Sequence, residues 1–258
     1  MRTIAAVVAL SLPVVTQAQE APRAALERPA AAAESPRAVI ERAVAAHGGM
    51  DRLAAARSER LKLTGTILAG TAPLPFTNEM ALQLPGQYRS TVIITENGRS
   101  QTVVNLLDGD KVTLLINGKP QPASPVHLAQ LKQTLQLEHV VRLAPLLSDR
   151  SYALHPLPEV RYNTHVYVGV RVERAGQRDV KLYFDRASGL LVKTEHQLEV
   201  AGGKDVLQEA FYAGHRDYSG RVRPGAVVVL RDGKKVMEAE VVEARTVDRI
   251  DDREFSQP

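Results

Sequence analysis

The chain has 258 residues, 44% of them hydrophobic and 24% charged, which is typical of one or two folded domains. It contains no cysteine, and this excludes disulfides, zinc–thiolate sites, thiol nucleophiles and the cysteine-linked lipid anchor of bacterial lipoproteins. The formal net charge of +4 is spread along the chain, and no basic run is interleaved with aromatic residues, so no nucleic-acid-binding protein is indicated. Aromatic residues make up 4% of the chain and tryptophan is absent, so we expect an aliphatic core.

The first 18 residues have the pattern of a cleavable secretory signal. Arg2 supplies a short positive region, residues 4–15 are apolar, and Thr16 and Ala18 are small residues at the two positions that matter for cleavage. The apolar run is too short to span a bilayer comfortably. We therefore expect cleavage after Ala18 and a periplasmic protein, with an uncleaved anchor as the alternative.

A linker is predicted between this signal and the folded domain. Residues 19–34 are rich in Ala, Pro and Arg, and they carry too few large apolar side chains to offset the entropy lost on ordering. One domain is therefore expected over residues 35–258. It opens with a helix that is capped by Ser35 and ends at His47, which is better explained as a capping residue than as a metal ligand. A second short helix is predicted over residues 51–56.

From Arg60 onward the hydrophobic residues alternate, which indicates strands. Asn97-Gly98, Asp108-Gly109 and Asn117-Gly118 are turn sequences between alternating segments, so five consecutive strands are predicted as an antiparallel meander. Later strands are predicted over residues 166–172, 180–184, 190–200, 204–213, 222–230 and 235–247. So many strands cannot stay flat, and we expect the sheet to curl. The acidic tail over residues 248–258 is expected to coil along the surface.

One long helical pattern, residues 124–147, interrupts the strands. Its apolar stripe is wide and must pack against another element. The leucines that recur at helical spacing are Leu128, Leu131 and Leu135. Pro145 is expected to kink or end the helix near Leu143. We expect the stripe to face the concave side of the curved sheet with lipid between them, and the alternative is an amphipathic helix that closes a dry core.

The sequence offers no catalytic constellation. None of the seven histidines is spaced from another as in zinc motifs. His215-Arg216-Asp217 matches the letters of a kinase catalytic loop, but the glycine-rich loop and the lysine strand that a kinase needs are missing. We therefore expect a binding protein that is not an enzyme and that uses no metal and no cofactor.

A curved sheet closed by an apolar helix can hold acyl chains, because burying apolar surface gains about 25 cal/mol per Å². Aliphatic walls suit a flexible ligand that needs no stacking. The residues predicted to line such a cavity are Leu63, Ile67, Met80, Leu82, Val92 and Ile94 on the strands, and Leu128, Leu131 and Leu135 on the helix. The choice of strand residues depends on the phase of the alternation, since a shift of one residue would exchange the two faces of the sheet.

Several segments resemble the LolA/LolB-like outer-membrane lipoprotein-sorting proteins. They are residues 44–49 (VAAHGG) with Leu53, 61–66 (LKLTGT), 143–147 (LAPLL), 182–185 (LYFD), 188–193 (SGLLVK), 231–241 (RDGKKVMEAEV) and 250–255 (IDDREF). The likeness extends over residues 36–258 and lies mostly in turns and strands, so it is informative on fold rather than on ligand. It implies an α+β, mainly antiparallel fold, an incomplete, half-open β-barrel of about eleven strands with helices plugging the concave face. No functional residue of the family can be matched individually to this chain.

The resemblance also implies carriage of lipoprotein acyl chains across the periplasm. The expected protein is a monomeric periplasmic carrier or sensor that binds acyl chains of lipids or lipoproteins, with membrane-bound export or acceptor proteins as further partners. The alternative is an envelope regulatory or scaffold module of the same fold that binds a protein partner.

Overall fold

The structure is a computed structural model that describes residues 34–69, 72–200 and 202–257. The signal predicted over residues 1–18, and all but the last residue of the linker predicted over residues 19–34, lie outside the described residues. None of the helices in the described part of the chain is long and apolar enough to cross a membrane.

The described residues form five helices and fifteen strands. The helices are α1 (Pro36–Ala46), α2 (Met50–Ala55), α3 (Pro125–Val140), α4 (Ala144–Ser148) and α5 (Arg253–Ser256). The first strands are β1 (Ser58–Ala69), β2 (Ala72–Gln83), β3 (Gln87–Glu96), β4 (Arg99–Asp108), β5 (Lys111–Ile116), β6 (Lys119–Gln121), β7 (Tyr152–Tyr162) and β8 (His165–Arg174). The others are β9 (Val180–Asp185), β10 (Leu191–Val200), β11 (Lys204–Ala213), β12 (Arg216–Tyr218), β13 (Arg221–Arg223), β14 (Ala226–Arg231) and β15 (Lys234–Val247).

Thirteen of the strands form one curved antiparallel sheet, in the order β6-β5-β4-β3-β2-β1-β15-β14-β11-β10-β9-β8-β7. Its two halves meet where β1 pairs with β15, with Leu61 opposite Ala244. β12 and β13 pair with each other in a separate hairpin. Because β6 and β7 are the free edges, the sheet is an open barrel. The predicted α+β, mainly antiparallel, half-open architecture is confirmed.

The sheet has thirteen strands, whereas about eleven were predicted. The two edge strands, β6 and β7, do not show the residue pattern of a strand. β6 has only three residues, and β7 contains Pro156 and Pro158, which argue against a strand. Proline is tolerated at a sheet edge because no ladder partner there needs its missing N–H. The strand predicted over residues 222–230 is divided, since Pro224 and Gly225 separate β13 from β14.

The two longest helices begin as their sequences predict. The hydroxyl of Ser35 accepts a hydrogen bond from the N–H of Ala38 at 3.2 Å, and that of Ser124 accepts from the N–H of His127 at 3.1 Å. Each cap is followed by a proline in the first turn, where the missing N–H costs nothing. α1 ends at His47, so the predicted capping role of this residue is confirmed.

The largest apolar cluster lies in the second half of the sheet. There α1 and α4 pack on β8, β9 and β10, around the fully buried side chains of Val170, Leu182 and Phe184. The cluster is aliphatic apart from two aromatic residues, Tyr152 and Phe184, which fits the composition. The concave side of this half is therefore already filled by helices.

The C-terminal segment corrects the prediction of a surface coil over residues 248–258. Ile250 and Phe255 are almost completely buried and form a cluster with Ala81 of β2. Arg89 of β3 donates hydrogen bonds to the carbonyl oxygens of Glu254 and Gln257, each at 3.0 Å. The tail thus covers the outer face of β2, β3 and β4, because two apolar side chains in an acidic segment find apolar partners there.

Candidate functional site

The six strand residues predicted to line a cavity lie on one face of the sheet, which we call the inner face. Directly paired residues share a side, and so do residues two positions apart in one strand. The pairs that establish the face are Leu63↔Asn78, Asn78↔Val92, Ile67↔Leu74, Leu61↔Met80, Glu59↔Leu82 and Phe76↔Ile94. Leu131 and Leu135 of α3 pack against Leu82, so the helix lies over the same face.

The nine predicted residues form two groups on this face. The first surrounds α3 and consists of Met80, Leu82, Leu128, Leu131 and Leu135. The second lies further along the strands and consists of Leu63, Ile67, Val92 and Ile94, in a cluster without any described residue of α3. The sixteen residues of α3 span about 24 Å, whereas the twelve of β1 span about 40 Å. The helix therefore crosses only part of the inner face.

Three glutamines attach α3 to the other half of the sheet. The side-chain amides of Gln130 and Gln133 donate to the carbonyl oxygens of Glu199 and Gln197 in β10, the first at 2.7 Å. A third amide, from Gln136, donates to the carbonyl of Arg178 at 2.9 Å. β9 pairs with β10 only as far as His196, so the amides of Gln130 and Gln133 satisfy β10 carbonyls beyond the end of β9, and that of Gln136 satisfies a carbonyl of the loop that leads into β9. The helix thus bridges the two halves, with leucines on one side and amides on the other.

The connection between α3 and α4 is strained. Leu143 has φ 65° and ψ −45°, and the N–H of Ala144 donates to the carbonyl of Arg142 at 2.7 Å. This is a γ-turn with positive φ at its central residue, a form that is rare and costs energy. The Leu143 side chain is completely buried, and that burial offsets the strain. The helical stretch 124–147 thus breaks close to Leu143, as expected from Pro145: α3 stops at Val140, and Pro145 lies in the first turn of α4.

A buried ion cluster joins the helical connection, the sheet and the hairpin. It consists of Glu59, Arg142, Arg221 and Arg223, and we call it the Glu59 cluster. The carboxylate of Glu59 accepts hydrogen bonds from Arg142 at 3.0 Å, from Arg221 at 3.1 Å, and from Arg223. Arg142 also donates to the carbonyl of Ala56. Only 1% of the Glu59 side chain and 4% of the Arg142 side chain are exposed, so one carboxylate holds three elements together away from water.

The Glu59 cluster carries a surplus of positive charge. Burial raises the pKa of the nearby Glu138 carboxyl, an effect that Arg142 and Arg221 oppose. Burial also lowers the pKa of Arg221 and of Arg223 to about 10 each, still far above neutrality. Among the described residues, Glu138 Oε2, Arg142 Nε and Arg221 Nε are buried without a hydrogen-bond partner. Three guanidinium groups therefore face two carboxylates, one of which binds protons more readily than usual.

The hairpin of β12 and β13 docks against the end of α1. The N–H of Val222 donates to the carbonyl of His47 at 3.1 Å. Gly48 lies so close that a Cβ there would approach the carbonyl oxygen of Gly220 to 2.3 Å. Burial lowers the pKa of His47 to about 4, so the ring is neutral, with Nδ1 donating to the Ala43 carbonyl at 2.8 Å. The hairpin delivers Arg221 and Arg223 to Glu59.

Two pockets lie near these elements. The first, which we call the α2–α4 pocket, has a volume of about 280 Å³ and is lined by Leu53, Ala54, Ala56, Arg57, Leu84, Pro85, His139, Arg142, Ala144, Pro145, Ser148 and Asp149. The second, of about 210 Å³, is lined by residues of β1, β2 and β15. Neither is lined by Leu128, Leu131 or Leu135. Leu131 and Leu135 are buried in one cluster with Leu82 and Leu107 of the sheet.

The described residues contain no group of three or more His, Cys, Asp or Glu side chains that could hold a metal ion. The kinase-like letters His215-Arg216-Asp217 lie at the start of the hairpin. The Asp217 carboxylate accepts a hydrogen bond from the N–H of Gly220 at 2.6 Å, and His215 Nε2 contacts the carbonyl of Leu191 at 2.9 Å. These residues therefore shape a turn.

The fold is known from solved structures, although no protein-family model and no curated protein matches this sequence. A LolA superfamily protein from Nitrosomonas europaea superposes with a TM-score of 0.53 at 15% identity, over 86% of this chain and 98% of that protein. An outer membrane lipoprotein-sorting protein domain from Vibrio parahaemolyticus gives 0.50 at 9% identity, over 85% and 96% of the two chains. A DUF1329 family protein from Desulfovibrio piger gives 0.53 at 13% identity, over 86% and 97%.

At such low identity these similarities establish the architecture and leave the ligand open. The resemblance to lipoprotein-sorting proteins is thereby confirmed at the level of fold. The chain shares the fold of these solved structures, a curved open antiparallel sheet with helices packed against its inner face.

Proposed function

We propose that this protein is a periplasmic carrier or sensor that binds acyl chains of lipids or lipoproteins between the inner face of the sheet and α3. The observation that carries this proposal is the position of α3, whose leucines cover an aliphatic part of the inner face while its glutamines attach it to β10. The shared fold with a lipoprotein-sorting domain supports the same ligand class. The periplasmic location rests on the signal predicted over residues 1–18.

Binding requires α3 to move, because its leucines rest on Leu82 and Leu107. An acyl chain that enters there exchanges one set of apolar contacts for another, so the exchange costs little hydrophobic free energy. The polar attachments of the helix include the three glutamine amides, which can form again on nearby carbonyls, and an exposed ion pair between Lys132 and Asp110, which water can replace. The C-terminal end of the helix stays anchored by the buried Leu143 side chain and by the Arg142–Glu59 hydrogen bond, so the N-terminal part of α3 is the part that moves. In this proposal α3 is the lid of the lipid site.

The first test is native mass spectrometry of the mature protein purified from the periplasm, followed by lipid extraction. Co-purified fatty acid, phospholipid or lipoprotein would support the carrier and name its cargo. A protein that carries no lipid, and that takes up none from vesicles, would contradict the proposal. That result would favour the alternative module of the same fold that binds a protein partner.

A further inference from the structure

The α2–α4 pocket has the composition of a ligand site. Its walls are mostly apolar and come from α2, α4 and the turn between β2 and β3, with a few polar side chains among them. Small-molecule sites are lined in this way, with apolar walls and a few polar groups that fix the orientation. At about 280 Å³, the pocket holds the head of an amphiphile rather than a whole lipid.

The pocket is cationic at its base and at its rim. Arg142 lines it, is more than nine-tenths buried, and has an Nε without a hydrogen-bond partner among the described residues. Its partner carboxylate, Glu59, is shared with two further arginines, so the base keeps a surplus of positive charge. Arg57 is exposed at the rim. The one carboxylate of the pocket, Asp149, lies 3.7 Å from Arg174 and accepts a hydrogen bond from the N–H of Ser151.

The pocket lies where the two apolar clusters meet. Leu53 and Ala144 belong to the cluster of the second half of the sheet, whereas Leu84 packs against the cluster that contains Leu131. A chain attached to a head group in the pocket can therefore pass Leu84 and enter beneath α3. Head-group site and lid are thus adjacent.

We propose that the α2–α4 pocket binds the carboxylate or phosphate head of an anionic amphiphile, with Arg142 and Arg57 as its cationic partners and the chain beneath α3. This inference rests on the proposed function and narrows its ligand class. A pocket of this kind would bind an anionic lipid more tightly than a neutral one. A guanidinium group suits both head groups because it donates two parallel hydrogen bonds to a carboxylate or a phosphate.

The test compares two probes that differ only in charge, dansyl-aminoundecanoic acid and its methyl ester, by fluorescence titration of the full-length mature protein. The acid should bind about tenfold more tightly than the ester, because the charge-assisted hydrogen bonds exist only for the acid. Arg57→Gln should reduce this preference to less than about threefold. Arg57 is exposed, so this variant keeps the fold, and Arg99→Gln, an equal charge change at the exposed first residue of β4, should leave the preference unchanged.

Each outcome has a separate meaning. Equal binding of acid and ester, or an unchanged preference in Arg57→Gln, would overturn the head-group site and leave the lipid carrier standing. Failure of both probes to bind would instead contradict the proposed function. If inorganic phosphate displaces the acid, and if acids with shorter chains bind as tightly as the undecanoic acid, the pocket binds free anions. That result would overturn the proposal of an amphiphile as the ligand. A circular dichroism spectrum matching the wild type is required of each variant.

Discussion

Arg142, in the turn between α3 and α4, donates a hydrogen bond to Glu59 of β1 over 3.0 Å, although 83 residues separate them in the chain. Both side chains are almost completely buried. The bond links the turn at the C-terminal end of the proposed lid to the centre of the sheet, and it joins two charges in a medium that screens them poorly. Its removal should therefore affect the stability of the whole domain.

Glu59→Gln should lower the free energy of unfolding by about 3–5 kcal/mol, because it removes the carboxylate that accepts hydrogen bonds from all three arginines of the cluster and leaves Glu138 as their one nearby counter-charge. Urea denaturation followed by circular dichroism measures the change. Glu79→Gln is the control, since it removes the same charge from an exposed ion pair with Lys62 and should leave stability unchanged. Equal effects of the two substitutions would show that the Glu59 cluster contributes no more than a surface pair.

At Leu143, glycine should be a less destabilising substitution than alanine, which is the reverse of the usual order. Leu143→Ala leaves the positive φ in place and removes a buried side chain, so it should cost about 2–5 kcal/mol. Leu143→Gly removes the same side chain but relieves the strain, and it should be about 1 kcal/mol less destabilising than alanine. At an unstrained position glycine is the worse of the two. Thermal or urea unfolding gives the free energy of unfolding of both variants. A more stable alanine variant would contradict the claim that the turn at Leu143 is strained.

Gly48→Ala should loosen the hairpin of β12 and β13. The new Cβ would meet the carbonyl oxygen of Gly220 at 2.3 Å, in a residue whose φ is +119°. Gly98→Ala is the matched control, because Gly98 also has positive φ but its Cβ would meet no atom within 4 Å. Hydrogen exchange of the Val222 amide should accelerate in the first variant only. Equal protection in both would show that the close contact with Gly220 has no structural role.

Stability should fall as the pH is lowered from 6.5 towards 4. Burial lowers the pKa of His47 from 6.5 to about 4, with His215, Arg223 and Arg221 acting in the same direction and the Ala43 carbonyl against it. Between these two pH values the His47 imidazole is protonated in the unfolded state and neutral in the folded state. The contribution of neutral His47 to stability is therefore fully present above pH 6.5 and is lost as the pH falls towards 4. One such histidine contributes about 3 kcal/mol to this loss.

His47→Gln should therefore make stability depend less steeply on pH within that window. Urea unfolding at several pH values gives the slope, which is independent of any constant loss caused by the substitution itself. His196→Gln provides a second case, since burial also lowers the pKa of His196 to about 4. A slope identical to that of the wild type in both variants would exclude these histidines as the cause.

Leu128→Glu should abolish uptake of lipid from vesicles while the fold is retained. Leu128 is only partly buried, so the domain tolerates the charge, but it packs against the cluster beneath α3, where an acyl chain would lie. Ala129→Glu places the same charge on the exposed side of the helix and should leave uptake unchanged. Normal lipid uptake by Leu128→Glu would remove this part of the inner face from the proposed site.

Local patterns in the sequence were sufficient for much of the fold. The spacing of Leu128, Leu131 and Leu135 predicts α3, and the alternation around Met80 and Leu82 predicts strands with the correct phase. Both depend on neighbours within one element. β7 was not predicted, because Pro156 and Pro158 are acceptable only in an edge strand. Whether a strand lies at the edge depends on the pairing of the whole sheet, which local patterns do not contain.

The Glu59 cluster could not be predicted, because its partners lie 83 and 162 residues from Glu59. The one local signal is Arg142 itself, a charged residue in the otherwise apolar run VVRLAPLL. A buried arginine needs a carboxylate partner, but nothing in that run indicates which of the acidic residues provides it. The buried contacts of Ile250 and Phe255 were hidden for the same reason.

The pairing of β1 with β15 has a consequence for how the chain folds. Residues 58–67 find their partners in residues 237–247, so the centre of the sheet joins segments that are far apart in sequence. Folding with such distant pairings is slow, because a long loop must close before the contacts form. Until β15 arrives, β1 presents an unpaired edge on which other chains could assemble. A factor that shields this edge during export would therefore raise the yield of folded protein more than one that stabilises any helix.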